Sequence, residues 1–204
     1  MKEHFTKVRE VEEAIIRGDV EAAQAPARWL ADHQATTGFP PQTAQPLKDM
    51  QAAARSVAAT EDINNAAVAA ANLVGTCGSC HSAAKVEPKL PPREERTASS
   101  ERARHMLEHQ VAVDLMYRGL IVPVSGDWKK GAEALKAAPL RDKSLKDIEK
   151  EAEAAEARIH ELADRALAAP DKSTRVAIYG EVIGSCASCH GLHGRVWGPG
   201  LPKT

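Results

Sequence analysis

LVGTCGSCH (residues 73–81) returns 109 positions later as VIGSCASCH (residues 182–190). The two segments hold all four cysteines of the chain, in two pairs: Cys77 and Cys80, then Cys186 and Cys189. A histidine follows each pair at once, His81 and His190. Three chemistries use C-x-x-C. A Cys₄ zinc site usually separates its pairs by about 15–20 residues. Here 105 residues intervene, and zinc gives no reason for a histidine after each pair. A thioredoxin-like redox motif follows a strand and opens a helix, whereas both segments here close a helical pattern.

The third chemistry accounts for every residue of the motif. Two thiols add to the two vinyl groups of haem, and the adjacent imidazole becomes an axial iron ligand. Two haem c groups are therefore expected, attached through Cys77 and Cys80 and through Cys186 and Cys189. His81 and His190 are the expected proximal ligands.

The likeness of the segments extends outward. At the 109-residue offset Asp62 matches Asp171, and Gly75 matches Gly184. Nearer the start of each half the offset is 105: Met1 matches Met106, Glu3 matches Glu108 and His4 matches His109. Ile15 and Ile16 then match Leu120 and Ile121. These matches read as a diverged tandem duplication. KVEPKLPPREERTASS (85–100), rich in Pro and charge, reads as a linker. The expected units are 1–85 and 99–204, with 86–98 between them.

Each half reads as four helices. Phe5, Val8, Val11 and Ile15 recur at helical spacing over 2–17. Gly18 stops that helix, and Asp19 caps a second that runs to about His33. TTGFPPQTAQP reads as a loop, 46–59 as a third helix, and Thr60 as the cap of a fourth. The second half follows at roughly 100–121, 126–137, 143–169 and 171–190, with Ser99 or Ser100 capping its first helix. The expected fold class is all-α: two tandem up-down-up-down four-helix bundles, each with a haem c at the end of its fourth helix. A single eight-helix domain is the alternative.

Composition agrees with helix. The 204 residues are 43% hydrophobic, 27% charged and only 3% aromatic, and Ala, Glu, Lys, Arg and Leu dominate. A net charge of −1 points to neither nucleic acid nor an anionic membrane surface. No apolar run approaches the roughly 18 residues of a membrane span.

The layout resembles the cytochrome c prime family, four-helix-bundle cytochromes whose C-x-x-C-H ends the fourth helix. The resemblance covers each half in length and helix order, and its sharp motif is Cys77-to-His81 and Cys186-to-His190. It implies that the first helix faces the iron. Some members leave the sixth position empty and bind gases; others fill it with a side chain and carry electrons.

Bundle geometry leads to the same helix. The first and fourth helices are antiparallel, so the end of one lies level with the start of the other. His4 and His109 are the non-motif histidines that match between halves, and they are the expected distal ligands, giving bis-His iron. Met1 and Met106, three residues earlier on the same face, are rivals. His105 is a rival in the second half and His33 a weaker one in the first; His33 and His160 have no sequence counterparts. Trp29, Trp128 and Trp197 read as core or interface filler. Lys85, Arg104 and Arg195 are weak candidates for pairing with propionates. The tail GLHGRVWGPG reads either as a shield over a haem edge or as a frayed terminus.

The expected function is electron transfer by a dihaem c-type cytochrome, not an enzyme, with redox proteins as partners. Haem c is attached outside the cytoplasm in bacteria, so a periplasmic location is expected. The opening MKEHFTKVREVEE lacks signal-peptide character, which implies an export signal removed before this numbering. The alternative is a gas-binding protein with at least one open iron, for which Val111, Val113, Leu115 and Met116 are candidate lining. Glu3 and Glu108 point about 100° away from the ligands beside them, which disfavours a haem enzyme. A homodimer is an open option, since the tandem copy can satisfy the same interface within one chain.

Overall fold

The computed structural model describes residues 2–33, 39–92, 97–98, 100–138 and 149–192. These form eight α-helices and no strand. In the N-terminal half they are α1 (Lys2–Ile16), α2 (Val20–Asp32), α3 (Ala44–Ala59) and α4 (Ile63–Ala84), with a 3₁₀ turn at Pro41–Thr43. In the C-terminal half they are α5 (Glu101–Ile121), α6 (Asp127–Ala137), α7 (Glu149–Ala168) and α8 (Lys172–Leu192). The chain is thus all-α, and no described helix is long and apolar enough to cross a membrane.

Local chemistry places the helix ends. Gly18 takes φ +71° and donates its N–H to the Ile15 carbonyl, closing α1 in the left-handed conformation that glycine enters without cost. Asp19, Ser100 and Asp171 each accept a backbone N–H three residues on, from Ala22, Ala103 and Thr174. In α4 the capping residue is Asp62, which accepts from Asn65, and not Thr60. α3 begins two residues before the expected 46, because Pro46 is tolerated in a first turn where its missing N–H has no partner to lose. The expected start of the seventh helix, at 143, lies outside the described residues.

Within each half, consecutive helices pack side by side and the first returns against the fourth: α1 meets α4, and α5 meets α8. Val8, Val11 and Ile15 of α1 and Leu73 and Val74 of α4 are buried in this core, as are Met116, Leu120 and Leu162 of the second half. The halves are also joined to each other, for α4 packs extensively along α8 and α5 lies against α4.

The α4–α8 seam is made of small residues. A Cβ on Gly75 would sit 2.7 Å from Val176 Cγ2, and one on Gly180 only 3.2 Å from the Val68 Cα. A Cβ on Gly184 would be 3.4 Å from that of Ala67. Rising residue numbers on α4 thus face falling numbers on α8, so the two helices run antiparallel. The Gly75–Val176 and Ala67–Gly184 contacts are related by the 109-residue offset. Arg9 and Asp114, which differ by the 105-residue offset, form a salt bridge of 2.9 Å between α1 and α5.

Candidate functional site

Cys77, Cys80 and His81 lie at i, i+3 and i+4 near the end of α4, hence on one face. Cys186, Cys189 and His190 repeat this near the end of α8. All four cysteines are unpaired thiols. Burial, with a smaller contribution from the neighbouring Cys80 or Cys189, pushes Cys77 and Cys186 up to about 12. Burial also raises Cys80 and Cys189. Such groups are protonated at neutral pH, the opposite of the depressed thiol that disulfide exchange uses. A groove of about 470 Å³ between α4, α7 and α8 reaches Cys189 and opens that thiol to the outside.

Antiparallel α4 and α8 put the two motifs at opposite ends of the seam. With Val68 level with Gly180, helical rise sets His81 and His190 about 35 Å apart along the axis. Four cysteines so divided cannot form one Cys₄ site. Among the described residues no group of three or more His, Cys, Asp or Glu converges as a metal cage.

Each motif imidazole is tied to a helix end. His81 Nδ1 lies 3.1 Å from the Ile121 carbonyl, and His190 Nδ1 lies 2.6 Å from the Ile16 carbonyl. Nδ1 must be the donor, because a carbonyl oxygen only accepts. In the neutral ring the lone pair is then on Nε2, as a metal-binding imidazole requires. Ile16 and Ile121 are the last residues of α1 and α5, where carbonyls lack an intrahelical partner.

His4 and His109 are each only 7% exposed. Phe5 meets Tyr117 edge to face at 6.0 Å, and Tyr117 is within electrostatic reach of Cys77. The start of α1 is therefore level with the first motif. Glu12, paired with Arg9 and hence near Asp114 of α5, is within reach of Cys186. The end of α5 holds His81, so His109, twelve residues earlier, lies about 18 Å along α5 from the first motif, toward the second.

His109 uses one ring nitrogen on the Ala138 carbonyl. Its Nε2 is buried and has no hydrogen-bond partner. Burial lowers its pKa, so the ring is neutral and that nitrogen holds a lone pair. An orphaned buried lone pair is costly, and an iron ion on Nε2 would satisfy it; the residues thus fit the expected group. His4 is pushed down to about 4 by burial and then by His33. Its ring neighbours are Trp29 at 5.8 Å, His33 at 4.7 Å and Phe39 at 6.5 Å.

The rival ligands divide. Met1, with His193, Arg195 and Trp197, lies outside the described residues. Met106 is half-buried against the core. His105 Nδ1 and His160 Nε2 are buried without partners, and both histidines lower the pKa of His109 through their charge. Trp128 is core, with Nε1 donating to the Ala166 carbonyl at 2.8 Å. Trp29 stacks on His33. Lys85 and Arg104 are exposed, as are Glu3 and Glu108. Of the candidate gas-pocket lining, Val113 and Met116 are buried and Val111 and Leu115 are half-buried.

Sequence reasoning passed over three features. His160, set aside for want of a counterpart, stands near His109, as the weaker rival His33 stands near His4. The end carbonyls of α1 and α5 leave no mark in a sequence. Glu12 is 1% exposed, accepts from the Tyr179 hydroxyl and from Arg9 at 2.8 Å, and is pushed up to about 7 by burial. A carboxylate inside the apolar stripe Val8, Val11, Ile15 was the available signal. No protein family matches the chain, and no curated protein or solved structure matches it significantly.

Proposed function

We propose that this chain is a dihaem c-type cytochrome that transfers electrons. Its two tandem four-helix bundles arose by duplication and resemble the cytochrome c prime family. Haem c is held covalently by Cys77 and Cys80 and by Cys186 and Cys189. His81 and His190 are the proximal ligands, and His4 and His109 the distal ones. The periplasm is the compartment in which such a group is attached and used, and other redox proteins are the partners.

The observation that carries this reading is the shared state of the two motif histidines. Each directs Nδ1 to a backbone carbonyl and so presents Nε2 as a ligand. The partnerless Nε2 of His109 supplies the second coordination atom in the C-terminal half. Contacts paired by the 105- and 109-residue offsets support the duplication. The bound group supplies reversible one-electron chemistry at its iron. The chain contributes imidazoles of fixed orientation, with His4, His81 and His109 buried.

Two tests decide it. Mass spectrometry of the exported protein should show two covalent haems, and its absence would sink the reading. Visible and near-infrared spectra, with carbon monoxide added to the reduced form, should be low-spin at both haems, with no sulfur-to-iron band and no response to the gas. A high-spin component that shifts with carbon monoxide would remove bis-His ligation at that haem and install gas binding in its place.

A further inference from the structure

We propose that each motif histidine is oriented by the opposite half of the chain, and that Gly78 is the positioning residue that permits this in the first half. The inference rests on the haem reading above and goes beyond it.

The first-half motif finds its acceptor on α5, and the second-half motif finds its acceptor on α1. The exchange is reciprocal. His81 and His190 are related by the 109-residue offset, and Ile121 and Ile16 by the 105-residue offset. An acceptor at Nδ1 fixes the ring and raises the basicity of the nitrogen on the metal. Each half would thus tune the iron of the other, and neither half alone would hold the carbonyl that orients its own proximal imidazole.

Gly78 lies between the two cysteines of the first motif, where α5 ends against α4. A Cβ there would be 2.1 Å from the Leu120 carbonyl oxygen and 3.5 Å from Pro123 Cγ. Backbone cannot yield as a flexible side chain can. Any side chain at 78 therefore drives the end of α5 away, and the Ile121 carbonyl with it. The second motif has a buried alanine at this place, Ala187. With that methyl in place the Ile16 carbonyl still reaches His190. The glycine requirement is confined to one site.

The experiment is a redox titration of the two-haem protein beside its Gly78→Ala variant. Loss of the Nδ1 bond makes the imidazole less basic and favours ferrous iron. One of the two one-electron steps should move to higher potential while the other stays. No movement, or equal movement of both steps, would overturn the proposal. A measurement on the unaltered protein decides the matter where the variant does not load its first haem. In the reduced, low-spin protein, nitrogen-labelled imidazole NMR should show slowly exchanging Nδ1 protons on both His81 and His190. Rapid exchange of both protons in a protein that carries two haems would overturn this inference alone. A protein with no covalent haem would instead overturn the reading on which it rests.

Discussion

The two candidate distal histidines occupy equivalent places and keep different company. His4 sits among rings, between Trp29, His33 and Phe39. His109 is anchored to the Ala138 carbonyl and has His105 and His160 near it, each with a buried nitrogen that lacks a partner. The proximal sides differ much less, since both motif histidines use the same kind of carbonyl. On the proposed reading, divergence has gathered where the surroundings of the iron can be altered without touching the covalent attachment. Of the rings around His4 only His33 carries a donor nitrogen for iron, and it is stacked on Trp29. The second half offers spare imidazoles.

The largest expected effect tests that contrast directly. His4→Ala should convert one haem wholly to a high-spin form that binds carbon monoxide. His109→Ala should give a smaller high-spin fraction, because His105 lies one turn away on the same face and has an unpartnered Nδ1. The double variant His105→Ala with His109→Ala should then open the second haem as fully as His4→Ala opens the first. Equal responses to the two single substitutions would break the comparison. Visible spectra with and without the gas suffice to read it.

A second expectation concerns what the halves share. Leu73 and Leu162 are fully buried, one in each half. Truncating either to alanine should cost about 2–5 kcal/mol, the usual range for a buried leucine. Because α4 packs along α8, both substitutions should lower the same cooperative transition in urea, followed by helical circular dichroism. Two separate transitions, each sensitive to one substitution, would mean that the halves unfold independently.

Much of this was legible in the sequence wherever the governing interaction is short-range. Asp19, Ser100 and Asp171 cap as their spacing implies, because a cap needs only a side-chain oxygen and an N–H three residues on. Thr60 and Asp62 are both competent caps, and only the backbone path chooses Asp62. The helical periods and the motif positions were readable for the same reason. The exchange of acceptors between halves was not, because a carbonyl has no residue code. Nor was the burial of Glu12, which depends on α1 lying against both α4 and α8.

Glu12 also marks a difference between the halves, for Tyr117 stands at the equivalent position. Arg9 and Glu13 of α1, Asp114 and Tyr117 of α5, and Tyr179 and Cys186 of α8 surround it electrostatically. Burial raises its carboxyl from 4.5 to about 7, against the pull of Arg9. Between those values the folded chain holds a proton that the unfolded chain has released. The stability linked to Glu12 is therefore full below its unfolded pKa and is lost as pH rises through about 7. The whole difference is on the order of 3 kcal/mol. Urea midpoints at pH 5 and pH 8 should show the wild type losing stability relative to Glu12→Gln. Parallel behaviour of the two proteins would mean that Arg9 keeps Glu12 ionised throughout.

On the proposed dihaem reading, the smallest effect is the coupling between the two irons. The motifs lie at opposite ends of an antiparallel helix pair, so a charge added at one is about 35 Å from the other by helical rise. At an effective dielectric constant near 20, two unit charges so separated interact by about 0.5 kcal/mol. Reducing one haem should thus barely move the potential of the other, and the two steps should titrate nearly independently. His4→Ala offers the sharper form of the test, because it changes one site chemically and should leave the second step in place. Strong coupling, with the second step displaced by much more than this, could not be carried through space. It would have to pass through the packed structure, where the helix ends that hold His81 and His190 join each site to the far half.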